Sequence, residues 1–278
     1  MSVHLVLIDA LNLIRRIYAV QERPFLLNNE LAENTKKQVL DNTQNACLQA
    51  LSKILEIQSP THALAVFDSV APCWRYQLYP DYKKGRKKMP EHLADKLTDI
   101  QDEFMTLSVD SLVSDKDEAD DLITTLAVKV ALRGQKVTII STDKCFLSLL
   151  NENIQVYDYF NRRELNREFV TEKFNVKPEQ LIDLWTLTGD STNKIPGVAG
   201  IGQVTAATLL NQYGSLAAVL NAEGIKKNIS EKLSSSQEQI SLSSKLLKLQ
   251  QDIPLGFNLK DIRLSAKEET AINSLQNA

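Results

Sequence analysis

Three apolar runs in this chain of 278 residues each lead into an aspartate. VHLVLID ends at Asp9, HALAVFD ends at Asp68, and KVTIISTDK carries Asp143. Between the last two lies EADDLITTLAVKV, with Glu118, Asp120 and Asp121 at its head. In an open parallel sheet the carboxyl ends of the strands share one edge, and ligands bind in the crevice there. Up to six carboxylates are therefore expected to converge on one spot. Such crowding repels unless cations neutralise it. The chemistry this implies is a divalent-cation site of hard oxygen ligands, suited to Mg2+ or Mn2+. Each acid alone has a plainer reading, because an Asp after a strand commonly caps a helix or fills a turn. Acids in a first helical turn also suit the dipole. Recurrence at three strand ends and one helix start favours the metal.

A second cluster is basic. YPDYKKGRKKMP holds Lys83, Lys84, Arg86, Lys87 and Lys88, and Arg75 with the aromatics Trp74, Tyr76, Tyr79 and Tyr82 lies just before these cations. Cations interleaved with rings suit a single strand, the cations meeting phosphates and the rings meeting unstacked bases. A charge run is equally a solvated face, and the run alone leaves both readings open. A third feature is IPGVAGIGQVTAATLL, where Gly197, Gly200 and Gly202 precede a helix of small residues. Glycines let the main chain approach a phosphate, and a helix start offers free N–H groups. No GK[ST] follows and no strand precedes, so neither a Walker A loop nor a dinucleotide fingerprint is present. The segment is similar to the helix-hairpin-helix class, which grips duplex phosphates without reading sequence. A tight connection between two helices would need the same glycines.

These groups must be held by elements. An amphipathic helix is predicted over about 44–57, with Ala46, Leu48, Leu51, Ile54 and Leu55 near helical spacing. The polar stretch 28–43 before it reads as a surface insertion or an extra helical turn. Pro60 ends that helix, and the next strand completes a βαβ unit. PEHLADKLTDIQDEFMTL reads as helix with Pro90 early in it, LSVDSLV as a short strand, and EADDLITTLAVKVALRGQ as a helix stopped by Gly134. After the strand leading to Asp143, a helix from about Phe146 and the strand NIQVYDYF follow. The alternation predicts a doubly wound α/β domain with a mostly parallel sheet over 1–160. From 161 to 278 the chain reads as helical, with a polar final segment expected to fray.

Composition narrows the function. The 43% apolar content supports a real core in one large domain or two small ones. No apolar run approaches the roughly 18 residues of a membrane span, and the opening MSVHLVLIDALNLIRR lacks the pattern of a signal peptide. Cys47, Cys73 and Cys145 are scattered, which points to reduced thiols in a cytoplasm. His4, His62 and His92 are isolated, so no zinc ligand set is expected. The net charge of −3 does not itself suggest nucleic acid, but the distribution of charge matters more than the sum.

Together, the strand-end acids, EADD, STDK, the basic run and GDSTNKIPGVAGIG resemble the flap endonuclease/5′→3′ exonuclease family, notably its small stand-alone bacterial members. The likeness covers about residues 3 to 220. It implies a PIN-like nuclease core with a helical arch at about 70–105, and a helix-three-turn-helix at about 178–213. It also implies a monomer acting on DNA with a 5′ flap or a branched junction. The first metal group would be Asp9, Asp68, Glu118 and Asp120, with Asp121 close by. Of the second group Asp143 and Asp190 remain, while Cys145 and Asn193 stand where the family has acids, and Lys194 follows. A thiol is a poor Mg2+ ligand and Asn brings no charge, so a second ion is expected to be weak or to arrive with substrate. Tyr82, Lys83 and Arg86 would lie on the arch, and Lys144 would approach the scissile phosphate. The resemblance also implies K+ on the carbonyls of Leu187, Thr188, Pro196, Val198 and Ile201. Duplex DNA would rest on Gly200, Ile201, Gly202, Gln203, Val204 and Thr205. Two rivals remain: a branched-DNA-binding protein with little turnover, motivated by the missing acids, and a PIN-like ribonuclease.

Overall fold

The computed structural model describes residues 2–25, 32–69 and 71–264. The chain opens with β1 (His4–Asp9), buried along most of its length, and turns directly into α1 (Ala10–Glu22). Next come α2 (Glu33–Gln58) and β2 (His62–Phe67), then α3 (Trp74–Leu78), α4 (Glu91–Asp95) and α5 (Leu97–Thr106). β3 (Asp110–Val113), α6 (Ala119–Ala131), β4 (Lys136–Ile140), β5 (Ile154–Asp158) and the short β6 (Arg163–Glu164) complete the sheet region. The remainder is helical: α7 (Arg167–Phe174), α8 (Leu181–Thr188), α9 (Gln203–Tyr213), α10 (Leu216–Leu220), α11 (Lys227–Ser235) and α12 (Gln237–Leu247).

The six strands lie in the order β3-β2-β1-β4-β5-β6, all pairs parallel except β5 with β6. Alternate residues of β1 feed the two faces. Leu5 and Leu7 join the cluster beneath α6 and the C-terminal helices, while Val6 and Ile8 join the one beneath α1, α2 and α5. The order reverses at β1, which sits between β2 and β4. A crevice therefore opens at the carboxyl ends of β1 and β4, where ligands of such sheets bind. No helix among the described residues is long and apolar enough to cross a membrane.

Several elements differ from the sequence reading. The polar stretch 28–43, where described, follows the helical of its two readings and not the insertion: from Glu33 onward it forms the first turns of α2. Its Glu, Lys and Gln residues are good helix formers, and Val39 and Thr43 alone supply the buried stripe there. Residues 28–31 fall outside the described part. The helix expected from about Phe146 is a 3-10 helix that starts two residues earlier, Lys144–Leu149. The basic run is not helical: between α3 and α4, residues 79–90 form turns and irregular chain, so the stretch expected to form a helical arch carries helices at its ends only. Gly85 and Lys83, with φ of 77° and 54°, break any helix there. The final segment is docked as far as Leu264, whose N–H donates to Thr61 O at 3.1 Å beside an Arg263–His62 bridge. Residues 265–278 of that segment lie outside the described part.

Candidate metal and nucleic-acid site

Asp9, the last residue of β1, also caps α1: Oδ1 accepts from Asn12 N at 3.3 Å, while Oδ2 accepts from Ser141 Oγ at 2.7 Å. Asp68, just after β2, accepts from Ala119 N at 2.9 Å and so fixes the start of α6. Asp143, beyond β4, accepts from Cys145 N at 2.9 Å and caps the 3-10 helix. Capping and site formation are thus the same event here. Each carboxylate is held rigid by a helix start that the fold brings to the crevice. Asp120 comes from the first turn of α6, and together these four acids line one cavity of about 180 Å³ with Asn12, Arg15, Arg16, Lys83 and Arg86.

Electrostatic strain marks this pocket. Burial first, then repulsion from Asp68 and Asp143, pushes the Asp9 carboxyl up to about 7, although the Ser141 hydroxyl pulls the other way. Asp120 is raised well above the usual carboxylate range by burial and by Asp143, with Lys83 opposing. Like charges held this close demand a cation. Asp120, Asp143 and Cys145 also place one ligand atom each within 4.8 Å of one another. Burial, with Asp120 and Asp143 adding to it, keeps Cys145 a thiol by raising its pKa.

Other expected site residues are engaged differently. Glu118 is buried at the edge of the cluster, where Arg75 takes one oxygen and Lys83 Nζ the other at 2.6 Å. Those cations hold its pKa low against the opposing effect of burial. Asp121 does not line the acid cavity. One position along α6 from Asp120, it points about 100° around the helix, is fully buried, and holds Arg75, Trp74 and the N–H of Gln250. Tyr82 is 3% exposed and packs edge-on against Tyr76, so its ring is not offered to a base. Lys144 lines a small cavity with Asp120, Cys145 and Asp190, where its ammonium pairs with Asp190 at 2.8 Å and lies over the Trp185 ring. Asp190 is buried and also accepts from Asn193 Nδ2 at 2.8 Å, so the second acidic group already contains a cation. Lys194 has no part in that pair.

The basic run reaches the site from above. A cavity of about 340 Å³ is lined by Arg15, Lys83, Arg86, Lys87 and Lys88 on one side, with Asp68 and Glu118 among its acids. Lys83 N donates to Asn193 O at 2.9 Å, tying the run to the loop after α8. Sequence reasoning missed Arg15 and Arg16. Their signal was present: Asp9, Asn12 and Arg16 recur at helical spacing, so they share one face of α1. A larger cavity, about 660 Å³, lies at the far edge of the sheet against Leu132 and the Arg167–Glu179 pair, away from all of these acids.

The glycine segment forms a tight hairpin between α8 and α9. Gly197 packs so closely on the end of α8 that a Cβ would fall 2.2 Å from Thr188 C. Leu187 O accepts from Val198 N, Val198 O from Ile201 N, and Pro196 O from the buried Ser243 Oγ. Gly200, Gly202, Gln203 and Val204 are exposed and Thr205 half-exposed, whereas the Ile201 side chain is buried and can offer only main chain. Gly202 leaves the N–H groups of α9 without a side-chain cap, and Lys232 donates to Gly200 O at 3.1 Å. Lys232 and Ser243 were also missed, since they lie beyond the stretch whose motif was readable.

The chain matches the family model "5′-3′ exonuclease, N-terminal resolvase-like domain" over residues 4–175, and "5′-3′ exonuclease, C-terminal SAM fold" over 176–270. It is 69% identical to the flap endonuclease Xni of Colwellia psychrerythraea, covering 95% of this chain and 93% of that protein. Identity to the Xni of Psychromonas ingrahamii is 48%, covering 93% and 96%. A structure of the phage T5 5′-exonuclease with zinc bound shares the fold at a TM-score of 0.71 and 22% identity, covering 88% of this chain and 89% of that one. A complex of the T5 flap endonuclease with DNA and metal ions gives a TM-score of 0.67 at 21% identity, covering 99% and 100%. With both family models matched end to end and relatives this similar along nearly the whole chain, the protein belongs to the 5′-3′ exonuclease family.

Proposed function

We propose that this protein is a divalent-metal-dependent flap endonuclease that hydrolyses phosphodiester bonds where a 5′ single strand leaves duplex DNA. One observation carries the reading: Asp9, Asp68, Asp120 and Asp143 share a cavity rimmed by Arg15, Arg16, Lys83 and Arg86. The all-oxygen donor set fits Mg2+ or Mn2+, and Glu118 steadies the group from its edge. A divalent ion held there supplies an acidified water and counter-charge for the phosphate. Lys83 and Arg86 offset charge that develops on the phosphate, while Arg15 and Arg16 extend the same field along the strand. Lys144 balances Asp190 beside the acid cluster. Duplex DNA rests on the hairpin at 200–205, whose exposed main chain and free N–H groups suit phosphates. The carbonyls of Leu187, Thr188, Pro196, Val198 and Ile201 would hold K+ between that loop and the backbone. Three of them already accept one hydrogen bond each, which leaves a second lone pair free. A reducing, cytoplasmic setting is supported by its three free cysteines, and the monomer is what the family likeness implies.

The test is cleavage of a 5′-flap duplex during Mg2+ and Mn2+ titration, with an RNA flap as a parallel arm. Metal-dependent incision at the DNA junction is the expected result. Tight binding without incision would favour a branched-DNA-binding protein, and preference for the RNA flap would favour a ribonuclease.

A further inference from the structure

Arg75 lies on α3 at the foot of the basic run and is 2% exposed. A guanidinium has five N–H donors, and here each one has an acceptor. Nε donates to Leu246 O at 2.9 Å. Nη1 serves Glu118 Oε2 and, at 2.7 Å, Asp121 Oδ2. Nη2 serves Asp121 Oδ1 at 2.8 Å and Lys248 O at 3.0 Å. Trp74 packs on the guanidinium, with 4.5 Å from Cζ to the ring centre, and its indole N–H holds Asp121 at 3.0 Å. Asp121 in turn accepts from Gln250 N at 2.9 Å.

Three parts of the molecule meet at this one side chain: the foot of the basic run, the start of α6 that carries Asp120, and the carboxyl end of α12. That last helix also touches the glycine hairpin, because Ser243 on it donates to Pro196 O at 2.6 Å. Leu246, which Arg75 holds, and Ser243, which holds the hairpin, are about one turn apart on α12. We propose that Arg75 is a positioning residue that sets the distance between the duplex-gripping hairpin and the metal group, and thereby the bond at which the strand is cut. This rests on the function proposed above.

The planar fork makes the joint specific, since Lys offers a point charge and cannot bridge two carboxylates and two carbonyls at once. A displacement of about 1 Å between grip and metal group is enough to cost on the order of a hundredfold in rate. A displacement approaching the roughly 3.4 Å rise between successive phosphates of a strand shifts the cut onto a neighbouring bond.

The experiment uses full-length Arg75→Lys, Asp121→Asn and Trp74→Phe beside wild type on a 5′-flap DNA in Mg2+. Products are resolved to single nucleotides, and thermal melts are run in parallel. A hydroxyl-radical footprint of the duplex arm, taken in Ca2+, reads the position of the hairpin without cutting. The expected result is a spread of incision onto adjacent bonds and a matching shift in the footprint, largest for Arg75→Lys. A purely structural role lowers the melting temperature and the active fraction but leaves both patterns unchanged. Unchanged patterns in every folded variant overturn the proposal; should Arg75→Lys fail to fold, the other two decide. If wild type cuts no flap, the function proposed above falls, while the footprint still reads the hairpin position.

Discussion

Lys144 Nζ lies 2.8 Å from Asp190 Oδ1, so the lysine beside the STD motif is the counter-ion of an acid in the depleted second group. Thr192 N and Asn193 Nδ2 complete the shell of that buried carboxylate. The pocket therefore balances its charge without a second divalent ion. Lys144→Met should destabilise the protein by about 1–3 kcal/mol, less than a fully buried pair would lose because the lysine is 33% exposed. Adding Asp190→Asn should recover most of the loss. Denaturant melts of the two single variants and the double variant measure this coupling, and strictly additive effects would show that the pair contributes nothing.

Asp120→Ala should abolish cleavage while leaving DNA binding largely intact. Asp120 faces the shared cavity from α6, whereas the phosphate grip proposed above lies on the hairpin and the basic run. Retention of more than about a tenth of the wild-type rate, equivalent to less than 1.4 kcal/mol of barrier, would remove Asp120 from the metal group.

The acids at strand ends could be read from the chain because a parallel sheet brings those ends to one edge whatever its side-chain detail. Hence Asp9, Asp68, Asp120 and Asp143 meet as expected. What the sequence hides is direction. Asp121 follows Asp120 directly, yet helical rotation sends it into the core to meet Arg75. Lys144 follows Asp143, yet the 3-10 turn that Asp143 caps aims it at Asp190. Arg75 looked like one more cation of the basic run; only long-range packing makes it a buried joint, with partners at Leu246 and Lys248. Local spacing reports faces of helices and strands. It does not report which distant carbonyl waits opposite.

The raised pKa of Asp9 gives a signed pH effect. Unfolded aspartates titrate near about 3.9, whereas Asp9 is pushed up to about 7. Between these values the native state keeps a proton that the unfolded chain has lost. Asp9 thus stabilises the metal-free fold at low pH, and its contribution declines as pH rises through that window. Asp9→Asn removes this titration, so the metal-free variant should gain on wild type from pH 5 to 7 in thermal melts. Mg2+ competes with the same protons, so its stabilisation of wild type should be larger at pH 8 than at pH 6. A difference between variant and wild type that is flat with pH would mean that Asp9 ionises normally.

Replacing Lys83 and Arg86 together by Ala should weaken flap cleavage more than binding to a blunt duplex. Both side chains line the cavities beneath the basic run. Losing phosphate contacts should also flatten the dependence of flap binding on salt. Equal losses on flap and blunt duplex would make the run a general phosphate patch.

The last prediction concerns the two positions where family acids are replaced. Cys145 already places its sulfur beside the Asp120 and Asp143 carboxylates, and Asn193 donates to Asp190. Cys145→Asp with Asn193→Asp would replace a thiol and a donor by two charges next to existing acids. Without metal the variant should be less stable than wild type, since crowded carboxylates repel and Asp190 loses an N–H partner. With Mg2+ it should recover by linkage, and calorimetry should detect an additional bound ion. Lys144 is the competitor, because its ammonium already sits on Asp190. Adding Lys144→Ala should therefore tighten the additional ion and enlarge the recovery. If neither variant binds a further ion, Cys145 and Asn193 do not face a common metal pocket. The Lys144–Asp190 pair would then be a plain structural ion pair.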